Sequence, residues 1–227
     1  MLHERRIDLC PICRRSTMPS KYRQALDRYS ELMEEAKLRL LAMDTALGGQ
    51  TGLPKGAIRE YCFLQLRMLC ELIALACLTA HGDLETSKLK GAYEADRIIR
   101  RLQRLHSEFY PIGATRVQYQ VKLREDGFLT KAELVRLYRK CGVVLHRGSF
   151  NAQPSLGYSD ADIEEIRMWK QKIEALLSCH AIFMADERTM VLFVLRNEEG
   201  RVQWRTLEGE QMKSLWPSRT GTAKDEL

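Results

Sequence analysis

Two side chains in this sequence have types and spacing suited to chemistry. Arg139 and His146 lie in the stretch Leu137-Tyr138-Arg139-Lys140-Cys141-Gly142-Val143-Val144-Leu145-His146-Arg147-Gly148. Seven residues along a helix return to within about 20° of the starting direction and rise about 10.5 Å, so a helix here presents both side chains on one face. Arginine is always charged and grips a phosphate through two N–H groups. Histidine exchanges a proton near neutral pH. Together they suit cleavage of RNA without a metal. The histidine would act as general base or acid on the 2′-hydroxyl or the leaving oxygen, and the arginine would stabilise the charged phosphorane. Read more plainly, Arg139 is a solvated helix residue and His146 a cation near a helix C-terminus, where the macrodipole favours it.

Positive charge gathers beside this pair. Between Lys88 and Arg147 stand 14 basic and 6 acidic side chains, a local +8 against +6 for the whole chain. Lys140, Arg147, Arg136, Arg97, Arg101 and Arg104 are therefore the candidate RNA-binding residues. An ordinary solvated helix face would look the same, and no RNP-type aromatic motif offers base stacking. A Cys-x-x-Cys, Cys10-Pro11-Ile12-Cys13, supplies two thiolates where a structural zinc needs four ligands. With His3 as the nearest third donor and no second pair, no metal and no cofactor is expected, zinc at Cys10 and Cys13 being the alternative. His81 and His106 fall near predicted helix ends and need no further role. Walker A, Gly-x-Gly-x-x-Gly, Gly-x-Ser-x-Gly and His-Glu-x-x-His patterns are absent, which argues against the common nucleoside triphosphatases, dehydrogenases, α/β-hydrolases and zinc proteases.

The elements that must position the pair are mostly helices. Leu26, Tyr29, Leu32, Met33, Leu40 and Leu41 recur at helical spacing from Lys21 to about Leu47, and Gly48-Gly49 ends that run. Ala57 to His81 is apolar around most of its circumference and predicts the central helix of a bundle, with Arg67 and Glu71 paired at i,i+4. A third helix is expected from Thr86 to about Phe109, ended by Pro111 and Gly113. Arg116 to Arg124 suits either a short strand or a loop. Thr130 and Glu133 form a capping box that opens the helix of the Arg–His pair at Lys131. Gly142 weakens that helix by roughly 1 kcal/mol relative to alanine. Ser159 caps a last helix from Asp160 to about Leu177.

The period then changes. Ala181–Met184, Met190–Leu195 and Val202–Thr206 are short, apolar and branched, with polar turns between them, and predict a three-stranded antiparallel meander. The expected fold class is α+β, mainly α: a flexible lead-in over 1–19, a helical bundle over 20–179, a β-meander packed on it over 180–208, and a largely disordered tail over 209–227.

Apolar residues make up 45% of the 227-residue chain, enough to bury a sizeable core. The seven cysteines are odd in number, and Cys62, Cys70 and Cys77 share one apolar stretch, which suits buried thiols in a reducing compartment. No segment approaches the ~18 uninterrupted apolar residues of a membrane span. Met1 to Arg15 lacks the apolar run of a secretory signal, so the terminal Lys224-Asp225-Glu226-Leu227 is read as coincidence and a cytoplasmic location is expected.

The stretch from Leu137 to Gly148 resembles the Arg-x(4–6)-His signature of the HEPN superfamily (higher eukaryotes and prokaryotes nucleotide-binding), with six residues between arginine and histidine. Glu60 to Leu75 is similar to the long central helix of such proteins, and the resemblance spans about Lys21 to Cys179. It implies a bundle of four or five helices, often dimeric. Many members are metal-independent endoribonucleases of toxin–antitoxin, abortive-infection and CRISPR systems, leaving 2′,3′-cyclic phosphate ends, with two Arg–His motifs meeting across the dimer. On that resemblance Arg139 is the motif arginine and His146 the motif histidine, and the partners are RNA, a second copy of the chain, and an antitoxin or other protein. Active members usually carry a small polar residue, often asparagine, aspartate or histidine, directly after the arginine, where this chain has Lys140. Some members bind or scaffold without cutting. A non-catalytic helical interaction module is accordingly the alternative, its β-meander offering an edge to a partner.

Overall fold

The protein is described here by a computed structural model over residues 7–8, 20–81, 94–117, 120–146, 160–185 and 189–208. Among the described residues five helices and six strands follow one another as β1 (Ile7–Asp8), α1 (Ser20–Leu47), α2 (Lys55–Ala80), α3 (Ala95–Leu105), β2 (Ile112–Val117), β3 (Gln120–Leu123), α4 (Lys131–Leu145), α5 (Asp160–Leu177), β4 (Cys179–Phe183), β5 (Thr189–Val194) and β6 (Gln203–Glu208).

Helix α2 is central because its sequence leaves it no polar side wide enough to face water. It packs against α1, α3, α4 and α5. Cys62, Phe63, Leu66, Leu69, Cys70, Ile73 and Cys77 are fully shielded on it. By length and composition it is apolar enough to cross a membrane, and 61% of that stretch is buried inside the fold. The α1–α2 pair is an antiparallel hairpin. The backbone crosses left-handed space at Gly49 and Gly52, where φ is 74° and 67°.

The β region corrects the sequence expectation. The three-stranded meander exists as β4–β5–β6, but it is half of a six-stranded antiparallel sheet in the order β1-β3-β2-β4-β5-β6. Strand β2 pairs with β4 through Ile112↔Ala181 and Gly113↔His180. The sheet therefore does not simply follow the bundle: two of its strands come from between α3 and α4. Of Pro111 and Gly113, expected only to end a helix, Pro111 leads into β2 and Gly113 lies within it. The ambiguous stretch from Arg116 to Arg124 contains the end of β2 and all of β3. A boundary at 179/180 falls inside β4, and Ile7–Asp8, in the expected flexible lead-in, is a strand paired with β3. Of the expected third helix, only Ala95–Leu105 is described as helical, and it stops at Leu105, short of Phe109.

Strands β4 and β5 read as nearly continuous apolar runs because both faces are buried. One face, with Ile182, Met184, Val191, Phe193 and Leu195, joins the main helical core. The other gathers Ala114, Val121, Cys179, Ala181, Phe183, Met190, Leu192 and Leu207. Gly113 lies against Phe128, whose Cγ would stand 3.0 Å from a Cβ at that position.

Candidate functional site

Helix α4 starts where the capping box places it. Thr130 Oγ1 accepts from the Glu133 N–H at 3.3 Å, and the Glu133 carboxylate accepts from the Thr130 N–H at 3.0 Å. Glu133 also meets Lys172 Nζ of α5, and these hydrogen bonds with the lysine and Thr130 hold its carboxyl below the usual range against the opposing effect of burial. Further along, Lys140 is bound to Glu165, which also accepts from Trp169 Nε1 at 3.2 Å. The Arg136 guanidinium lies 5.3 Å from the Trp169 ring. The rising order Glu133, Arg136, Lys140 meets the falling order Lys172, Trp169, Glu165, so α4 and α5 run antiparallel along a charged seam.

Leu134, Leu137, Tyr138 and Cys141 turn the opposite side of α4 into the core. What remains outward is the stripe Ala132, Arg136, Arg139, Val143 and His146, all exposed. Successive members are three or four residues apart, the spacing of one helical face. Val143 is 79% exposed. His146 is the C-cap of α4: its N–H bonds the Gly142 carbonyl at 3.0 Å while its own φ and ψ, −92° and 105°, have left helical values. Among the described residues neither the Arg139 nor the His146 side chain has a hydrogen bond or ion pair. The stripe thus combines one free guanidinium, one free imidazole about two turns further on, and an apolar side chain between them.

The other candidate RNA-binding residues divide. Arg136 is exposed, 3.7 Å from Glu133, and partly engaged by Trp169. Lys140 faces α5 and Glu165 instead of joining Arg139. Arg97 is exposed and 3.6 Å from Glu94. Arg104 is exposed. Arg101 is half-buried, with its shielded Nε unpartnered among the described residues. Helix α3 lies beside α4, with Lys131 Nζ bonded to Gln103. Arg147, Cys10, Cys13 and His3 lie outside the described residues, as do Ser159, Lys88, Lys90 and the C-terminal tail.

The other described histidines of the helix ends and the described cysteines are buried in the fold. His81 and His106 are the C-caps of α2 and α3, but both are buried instead of solvated: their Nε2 atoms donate to the carbonyls of Phe109 and Phe183 at 3.1 and 3.3 Å. Cys62, Cys70, Cys77, Cys141 and Cys179 are free and buried. Burial pushes the Cys141 thiol up to about 12 and those of Cys62 and Cys179 up to about 11, so none is a ready nucleophile. Among the described residues no group of three or more His, Cys, Asp or Glu side chains is arranged to hold a metal ion. The sequence reading missed the tie of Lys140 to Glu165 and a contact between Arg67 of α2 and Gly142 of α4. The glycine inside an otherwise regular helix was the one visible sign of the latter.

No protein-family model, curated protein or solved structure matches this chain.

Proposed function

We propose that the outward stripe of α4 engages RNA, with Arg139 holding a backbone phosphate and His146 handling protons. The observation that carries this reading is the shared exposure of Arg139 and His146 on one helix face, with no partner among the described residues. Arg97, Arg100 and Arg136, by contrast, each have a carboxylate within 4 Å. The reaction consistent with these groups is metal-independent. A base takes the 2′-hydroxyl proton, the 2′-oxygen attacks phosphorus, the bond to the 5′-oxygen breaks, and that oxygen takes a proton. The products are a 2′,3′-cyclic phosphate and a 5′-hydroxyl end. The resemblance to HEPN proteins adds a second copy of the chain as partner and a microbial defence or toxin system as setting.

A second reading is favoured by two specific observations. Lys140 occupies the position after the motif arginine and is bound to Glu165, and Val143 presents apolar surface between Arg139 and His146. On that reading α4 docks a protein partner and cuts nothing.

The test is incubation of wild-type and His146→Ala protein with labelled RNA in excess EDTA. Cleavage by wild type alone, with 2′,3′-cyclic ends, is the expected result. Equal cleavage by both proteins would remove His146 from the mechanism, and no cleavage with no RNA binding would transfer the weight to the docking reading.

A further inference from the structure

Glycine inside a helix costs roughly 1 kcal/mol relative to alanine, yet Gly142 stands between Arg139 and His146 in α4. A Cβ at Gly142 would lie 3.5 Å from Nη1 of Arg67, which reaches across from α2. Arg67 is held on three sides. Its Nε is 3.2 Å from the Glu71 carboxylate. Its Nη2 donates to Tyr138 Oη at 3.0 Å. Its guanidinium carbon lies 4.6 Å from the Tyr138 ring centre. Two of the three guanidinium nitrogens are thereby occupied. Nη1 has no partner among the described residues and lies beside Gly142, which is half-buried. Gly142 is three residues beyond Arg139 and four before His146, about 4.5 and 6 Å along the helix axis. The flank between the two motif residues, where a side chain would ordinarily stand, is therefore left to a fixed guanidinium.

We infer that Arg67 is a second phosphate-binding arginine of this face, reaching the RNA backbone through the gap left by Gly142. The inference rests on the proposal that α4 engages RNA. A guanidinium already oriented by Glu71 and Tyr138 loses little freedom when it binds, which favours a phosphate contact there over one from a free surface lysine. The ligand class is a single-stranded RNA backbone that places one phosphate at Arg139 and a neighbouring one at Arg67.

The test is binding of a fluorescein-labelled single-stranded RNA, in EDTA, across a range of KCl concentrations. The proteins are wild type, Arg139→Ala, Arg67→Gln and Gly142→Leu. The leucine variant keeps Arg67 and its supports while covering Nη1, and it decides the matter if Arg67→Gln fails to fold. Loss of one phosphate contact should lower the slope of log K against log salt by about 0.7 for a single strand. That drop in Gly142→Leu and Arg67→Gln, with several-fold weaker binding, is the expected outcome. A wild-type slope in folded Gly142→Leu, with a reduced slope in Arg139→Ala, would overturn the role of Arg67 while leaving that of α4 intact. No binding by wild type, or an unchanged slope in Arg139→Ala, would overturn both.

Discussion

Tyr29 Oη lies 2.8 Å from His180 Nε2, joining the first helix to the central strand of the sheet in a fully buried setting. His180 Nδ1 donates to the Leu177 carbonyl at 3.2 Å, so Nε2 keeps its lone pair and accepts from the tyrosine hydroxyl. The ring stacks on Phe193, with centroids 5.3 Å apart and planes 10° from parallel. Burial pushes the histidine down from 6.5 to about 4, against a smaller opposing effect of its bond to Leu177. A group whose folded value lies below its unfolded one contributes stability above the unfolded value and loses it as pH falls. The window here runs from about pH 6.5 down to about 4, and the full loss is about 3 kcal/mol. Urea unfolding should show stability dropping between pH 7 and pH 4.5. His180→Gln should be less stable at pH 7 and should lose most of that slope; an equal slope in the variant would assign the pH dependence to other groups.

Glu133 joins the start of α4 to α5, and its carboxyl is held below 4.5 by hydrogen bonds with Lys172 and Thr130 that outweigh burial. Its contribution is present above pH 4.5 and is lost as pH falls through the lowered value. Glu133→Ala removes half of the capping box and the Lys172 contact together, and should cost about 1–2 kcal/mol at pH 7. Thermal unfolding of this variant beside Thr130→Ala measures it. A loss no larger than that of Thr130→Ala would show that the Lys172 contact adds nothing.

Arg139→Ala and His146→Ala remove exposed side chains without partners among the described residues, so each should change stability by less than about 0.5 kcal/mol. Both should abolish any RNA cleavage. Matching melting temperatures with lost activity is the expected pattern, and a substantial fall in melting temperature would reveal a structural role for the face.

Lys140 differs from its neighbour. Because it is bound to Glu165, Lys140→Ala should weaken RNA binding less than Arg139→Ala does. Its stability cost should stay within the 0–1 kcal/mol of an exposed ion pair. Binding lost equally in the two variants would return Lys140 to the contact surface.

Two glycines should respond oppositely to alanine. At Gly113 the new methyl would meet Phe128 Cγ at 3.0 Å and Arg124 Cδ at 3.2 Å, so overpacking of about 1–3 kcal/mol is expected. At Gly142 the nearest atom is 3.5 Å away, ordinary contact, and the gain in helix propensity should stabilise by roughly 0.5–1 kcal/mol. Denaturant midpoints of the two variants give the signs directly.

The helices were legible because their signals are local. The capping box at Thr130 and Glu133, the glycines after Leu47 and the apolar circumference of α2 each act within a few residues, and the structure has α1, α2, α4 and α5 close to where these signals place them. The sheet was legible only in part. The meander of β4, β5 and β6 has short turns and apolar runs, whereas β2 finds β4 across two intervening helices, and nothing near Ile112 announces a partner at Ala181. His106 shows the same limit: sequence puts it at a helix end, but only the fold brings the Phe183 carbonyl to it. At the candidate site, helical spacing gave the common face of Arg139 and His146. It could not give the contact of Lys140 with Glu165 or the approach of Arg67 to Gly142, which depend on how three helices pack.

The position of β4 also constrains how this chain comes off the ribosome. The α1–α2 hairpin and the β2–β3 hairpin can form early, from neighbouring sequence. The strand that joins the two halves of the sheet emerges only from Cys179 onward. Until then β2 lacks one neighbour and Tyr29 waits for a histidine 151 positions downstream. Between the emergence of β2 and that of β4 the nascent protein therefore carries an unpaired strand edge, the exposure that draws chaperones and favours aggregation. A fragment ending before Cys179 would retain α1 to α5 and lack the strand that joins the two halves of the sheet.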